Sequence, residues 1–181
     1  MPAVREMRAA DIEAVSSVRI AGWRSAYPGI VPRSHLDALS LEDDVLARRE
    51  RFARRDGTTL DLVAEDGGTV VGWLSMGPCR DPDARPDDGE IYALYVRPDL
   101  LGTGVGRALG EAALRAAGER PFRRLLLWVL EDNTRARRFY DRAGFRPDGT
   151  RTLWEIAGTS IPELRYRVEV PPTGEHETVR P

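Results

Sequence analysis

Three glycines at every second position, Gly102, Gly104 and Gly106, follow an apolar run that stops at Pro98. Alternate glycines remove Cβ atoms and free φ, so successive main-chain N–H groups can converge on one concave spot. Residues from Val105 onward read as a helix start. A first helical turn leaves N–H groups without partners and carries the positive end of the dipole, which suits it to a phosphate group. The same residues also suit a plain glycine-rich turn. Two nucleotide motifs are excluded by spacing. A Walker loop ends in Gly-Lys-Ser/Thr, and Arg107-Ala108 stand at the last two places. A dinucleotide loop needs a third glycine three residues after the second; from Gly102 or Gly104 that counting meets Arg107 or Leu109.

The elements that must position this loop can be read on either side of it. Residues 90–96 form the strand leading in, residues 105–117 a helix with a stripe of Val105, Ala108, Leu109, Ala112 and Ala116, and residues 125–130 an apolar strand covered on both faces. Residues 134–143 form a short helix ended by Gly144, and 152–156 with 164–170 read as a final strand pair. Upstream, residues 4–7 alternate as a first strand, and Asp11 is placed to cap a helix bearing Ile12, Val15, Val18 and Trp23. Tyr27-Pro28-Gly29 breaks that helix. Residues 34–39 are one helical turn, and Ser40 caps a further helix to about Arg55. Residues 60–65 and 69–76 flank Asp66-Gly67-Gly68 as a hairpin, and 77–89, rich in proline and aspartate, read as a mobile loop. The expected fold is therefore α/β, one domain over residues 1–170 around a mixed sheet, with a disordered tail over 171–181.

Two stretches resemble the GNAT superfamily of N-acetyltransferases. The family's acyl-CoA signature is Gln/Arg-x-x-Gly-x-Gly/Ala at the end of a strand, and Leu101-Gly102-Thr103-Gly104-Val105-Gly106 occupies it with the polar first position replaced by Leu101. About 30 residues later, Asn133-Thr134-Arg135-Ala136-Arg137-Arg138-Phe139-Tyr140 and then Gly144-Phe145 match the family's late motif. The resemblance implies a mostly antiparallel central sheet flanked by helices, acetyl-CoA as cosubstrate, no metal, and direct transfer of the acetyl group to an amine.

It also implies roles. Main-chain amides of Leu101, Gly102, Thr103, Gly104, Val105, Gly106 and Arg107 would hold the diphosphate, with the Arg97 and Arg107 side chains flanking it. Leu94 and Val96 would offer main chain to the pantetheine arm where strands splay, and Asn133 and Ala136 would meet it from the second motif. Tyr140 matches the tyrosine near the sulfur; a phenol of pKa about 10 can donate to a nascent thiolate whose thiol has a pKa of about 8.5. Glu90 stands where many members carry a base, and it either accepts the amine's proton or only attracts its charge; Asp88, Glu131 and His35 are substitutes. Trp23, Tyr27, Tyr92 and Trp154 would give aromatic surface for a cationic acceptor. The acceptor reads as a small-molecule amine, with a protein N-terminus or lysine as the rival and a non-catalytic acyl-CoA sensor as the alternative from another class. Homodimers are common in the family, and the edge of the terminal strands is where one would form.

Composition agrees with one globular domain. The chain has 181 residues, 41% hydrophobic and 31% charged, enough for one core. A net charge of −2 gives no field for nucleic acid, and no apolar run approaches a membrane span, so the expected compartment is the cytoplasm. All its cationic side chains are arginine, since the sequence has no lysine. Cys79 is the single cysteine and His35 and His176 are isolated, which excludes an internal disulfide and gives no ligand set for zinc.

Overall fold

The structure, a computed structural model, describes residues 2–171. The expected tail lies, past Pro171, outside the described residues. Alternating strand segments assemble into one seven-stranded sheet of order β1-β2-β3-β4-β5-β7-β6. The strands are β1 (Ala3–Glu6), β2 (Leu60–Asp66), β3 (Thr69–Pro78), β4 (Asp88–Val96), β5 (Arg124–Leu130), β6 (Arg146–Ile156) and β7 (Thr159–Glu169). Only β4 and β5 run parallel; every other neighbouring pair is antiparallel.

Period-two alternation sends side chains to two faces, and each face receives its own helices. Leu62, Leu74, Met76, Ile91, Leu125 and Leu127 meet α4 (Val105–Gly118), with Tyr140 of α5 (Thr134–Arg142) packed against the same core. Val63 and Trp73, on the other face, meet Ile12 and Val15 of α1 (Ile12–Ala26), which packs on α3 (Leu41–Ala53). Beside α1, Trp23, Leu36 of α2 (Arg33–Asp37), Leu130 and Ile161 form a smaller apolar cluster. Among the described residues, no helix is long and apolar enough to cross a membrane.

Several local expectations are corrected. Asp11 does not cap α1: its Oδ2 accepts from the Arg8 N–H (2.7 Å) and pairs with Arg5. The buried stripe of α4 is Val105, Leu109, Ala113 and Ala117, with Ala108, Ala112 and Ala116 only half-buried beside it. The final strands are longer than their apolar patches, because β6 and β7 pair through exposed polar positions as well. The loop after β3 is tied down: Arg165 of β7 pairs with Asp81 and Asp83 at 2.9 and 2.7 Å, and Trp128 Nε1 donates to Asp81.

Candidate active site

The site begins where the sheet comes apart. β4 and β5 pair at Asp88 with Arg124, Gly89 with Leu125 and Glu90 with Leu126, and no register continues beyond, although β4 runs on to Val96 and β5 to Leu130. The joint is fixed at its base by Asp88, whose oxygens accept from Arg124 at 2.6 and 2.7 Å and from the Arg85 N–H at 2.8 Å. Above it, β4 follows β3 instead, and Tyr92 is the extra residue of a bulge where the partners step from Ser75–Ala93 to Met76–Ile91. Bulges raise local twist and bend the strand. The result is a cleft in which the β5-facing main chain of Leu94 and Val96 has no strand partner, the splay expected there.

Directly after β4, the glycine loop turns the chain into α4. Gly102 and Gly104 have φ of +82° and +100°, a region that L side chains avoid. The first bond of the helix runs from Ala108 N to Gly104 O (3.0 Å), so the amides of Val105, Gly106 and Arg107 face off its N-terminal end. Gly106 has a different reason to be glycine: a Cβ there would stand 3.3 Å from the Phe139 ring of α5, so the third glycine permits helix approach. Thr103 turns its hydroxyl inward to Leu100 O (2.7 Å). The flanking arginines carry neighbouring carboxylates, Arg97 with Asp99 at 2.7 Å and Arg107 with Glu111 at 3.2 Å. Leu101 lies 39% exposed at the start of the loop. What the loop offers an anion is therefore main-chain amides and a helix dipole.

Helix α5 supplies the second wall. Asn133 caps it, its Oδ1 accepting from the Ala136 N–H at 3.1 Å, which leaves the amide NH₂ for other work. A cavity of about 210 Å³ opens between β4, α4 and α5, lined by Ile91, Leu94, Leu114, Phe139, Tyr140 and Phe145 among others. Tyr140 is wedged edge-on between Phe139 (5.1 Å) and Phe145 (5.7 Å). Burial, with Tyr95 nearby, pushes its phenol well above the usual tyrosine value, so it is a protonated donor at neutral pH.

The opposite face of the cleft is aromatic. Trp23 meets Tyr27 at 5.1 Å, Trp154 at 5.7 Å and His35 at 5.7 Å, joining α1, β6 and α2. Its Nε1 is buried without an acceptor at bonding distance among the described residues. Tyr27 is pushed upward in pKa by burial and by Tyr95, Tyr140 and Glu163, which places these phenols and that carboxylate within electrostatic reach of it. Tyr92 does not join this cluster: it donates to Pro78 O (2.5 Å) under the Arg80 guanidinium.

The candidate bases separate clearly. Glu90 is 4% exposed, with Oε1 accepting from Arg80 at 2.7 Å and Oε2 from the Arg80 N–H at 3.0 Å and Nε at 3.2 Å. Asp88 belongs to the joint, Glu131 pairs with Arg151 at 2.5 Å, and His35 leans tilted against Trp23. Sequence reasoning missed Tyr95 and Glu163. Tyr95 could have been found, since alternation from Leu94 and Val96 sends it to the aromatic face; Glu163 stands in a strand whose partners only the fold reveals.

The profile of the family described as Acetyltransferase (GNAT) family matches residues 21–145. A probable N-acetyltransferase of Mycobacterium tuberculosis is 30% identical over 167 residues, covering 91% of this chain and 92% of that protein. A mycothiol acetyltransferase of Beutenbergia cavernae is 41% identical over 113 residues, covering 61% of this chain but 35% of that protein. Among solved structures, the PaiA N-acetyltransferase of Thermoplasma acidophilum in complex with coenzyme A has a TM-score of 0.72 at 18% identity, covering 93% of this chain and 99% of that one. At that identity the likeness is one of fold.

Proposed function

The chain belongs to the acetyltransferase (GNAT) family, and from that premise we propose that it moves the acetyl group of acetyl-CoA directly to a primary amine of a small molecule. The observation that carries this reading is the placement of three outward amides of α4, the unpaired β4 edge and the Tyr140 phenol around one cleft. The amides of Val105, Gly106 and Arg107 would hold the diphosphate, and Leu94 and Val96 main chain would hydrogen-bond the pantetheine amides as a missing strand would. Asn133 adds a donor from α5.

Transfer requires an unprotonated amine, support for the carbonyl oxygen and a proton for the leaving sulfur. Tyr140 is the general acid, because its phenol, raised by burial, holds its proton at neutral pH and its ring lines the cavity between β4, α4 and α5. Trp23, Tyr27 and Trp154 offer the face on which the acceptor lies. Glu90, with both oxygens held by Arg80, acts through the architecture of the cleft instead of as the free base.

Calorimetry with coenzyme A and a thiol-release assay with acetyl-CoA and primary amines test the reading. Binding plus amine-dependent release supports it. Absence of binding overturns it, and binding without release across the amines identifies a sensor.

A further inference from the structure

Glu163 stands on β7 opposite Leu130 of β5 and Thr152 of β6. Its neighbours by alternation fix the face it belongs to. Leu164 packs into the core that holds Tyr140, whereas Ile161 packs with Trp23 and Leu130, so Glu163 lies on the aromatic face with Ile161 and Arg165. Other carboxylates near that face are paired. Glu90 is held by Arg80, and Asp81, Asp83 and Asp148 are held by Arg165. Glu163 makes no ion pair or side-chain hydrogen bond among the described residues, yet it is half-buried, with Tyr27 and Glu90 within electrostatic reach.

A half-buried carboxylate without a cation costs stability, and a protein of this kind gains nothing from it unless something else supplies the charge. We propose that Glu163 is the acceptor-site carboxylate, receiving the ammonium of a primary alkylamine whose apolar body lies on Trp23, Tyr27 and Trp154, and taking the proton that frees the nitrogen for attack. The inference rests on the acetyl-transfer reading above and names its acceptor class. In the step, one ammonium proton passes to Glu163, the N–C bond forms and the C–S bond breaks. The departing thiolate takes the Tyr140 proton, the second nitrogen proton replaces it, and Glu163 sheds its proton to solvent. Burial and the nearby Glu90 push the Glu163 carboxyl above its ordinary value, the direction that makes it a better proton acceptor.

The test uses phenylethylamine and butylamine as basic acceptors and aniline as a weakly basic one that arrives neutral, with thiol release as the readout and coenzyme A calorimetry on every variant as the fold control. The wild type is expected to acetylate phenylethylamine better than butylamine. Glu163→Gln should lower kcat/KM for both alkylamines by about tenfold or more, lower that for aniline by less than about threefold, and leave coenzyme A affinity within about twofold. Glu163→Asp should recover part of the loss. Equal losses for alkylamines and aniline, or an unchanged Glu163→Gln enzyme, would overturn the assignment. A wild type that binds coenzyme A but acetylates none of these amines overturns the acceptor class, while one that binds no coenzyme A removes the acetyl-transfer reading itself.

Discussion

Both carboxylate oxygens of Glu90 are held by Arg80, at 2.7 Å through the guanidinium and 3.0 Å through the main-chain N–H. The pair spans the two ends of the loop between β3 and β4, so Glu90 is a fastening at the foot of the cleft as well as a charge beside it. Arg80→Ala should therefore lower stability by about 1–3 kcal/mol, the cost of leaving a buried carboxylate unpaired on a partly exposed partner. Glu90→Gln on top of it should recover much of the loss. Thermal melts of the two single variants and the double variant measure this coupling; strictly additive losses would show that the pair does not act as one unit.

The joint below it sets a pH dependence. Burial alone would raise the Asp88 carboxyl, but the two bonds from Arg124 and the Arg85 N–H outweigh it and hold the group below its ordinary value. A depressed folded-state pKa contributes stability that is complete above the unfolded value and is lost as pH falls through the folded one. Melting temperature should thus be level near neutrality and fall below about pH 4. Asp88→Asn should cost about 3 kcal/mol at pH 7, since Arg124 loses its partner, and should show a shallower fall between pH 6 and pH 3. An acid limb as steep as the wild type's would place the titration elsewhere.

Tyr140→Phe removes the donor while keeping the ring between Phe139 and Phe145. Turnover should drop about 100-fold with coenzyme A affinity within about twofold. Because burial raises the phenol, the wild-type rate should show no loss of this acid between pH 7 and pH 9. Stopped assays across that range, with calorimetry on the variant, check both statements; unchanged turnover would remove Tyr140 from its role.

Gly104 and Gly106 fail differently. At φ +100° any side chain on Gly104 strains the loop, so Gly104→Val should weaken coenzyme A by about tenfold or more. Gly106→Val meets Phe139 and should lower the melting temperature as well as affinity, because it separates α4 from α5. Equal melting temperatures for the two variants would contradict this division.

What the sequence made legible was local. The turn at Gly67–Gly68, the Ser40 cap and the loop from Gly102 to Gly106 each depend on residues a few positions apart, and each stands in the structure as expected. What it hid was pairing over distance. Nothing near Tyr92 announces a bulge, which depends on how β3 lies against β4. Arg80 reaches Glu90 only because the loop folds back, and that contact changes what the most obvious carboxylate can do. Glu163, in turn, gains meaning from Ile161, Leu130 and Trp23, which meet only when three separate elements, β7, β5 and α1, come together.

Leu101 offers the last test, since it fills the place where the family pattern has a glutamine or arginine. Its side chain is 39% exposed at the mouth of the loop, and the nearby Arg97 and Arg107 are already paired with Asp99 and Glu111. The cradle therefore offers an anion main-chain amides and a dipole but few uncommitted cations. Leu101→Arg should add a charge-assisted contact at an exposed site, raising coenzyme A affinity by about three- to tenfold at low salt. That gain should shrink toward nothing as ionic strength approaches about 1 M, where screening extends only a few ångströms. Calorimetry at two salt concentrations separates the outcomes. A gain that persists at high salt would mean a packing effect, and no gain at low salt would mean that the diphosphate does not sit beside residue 101.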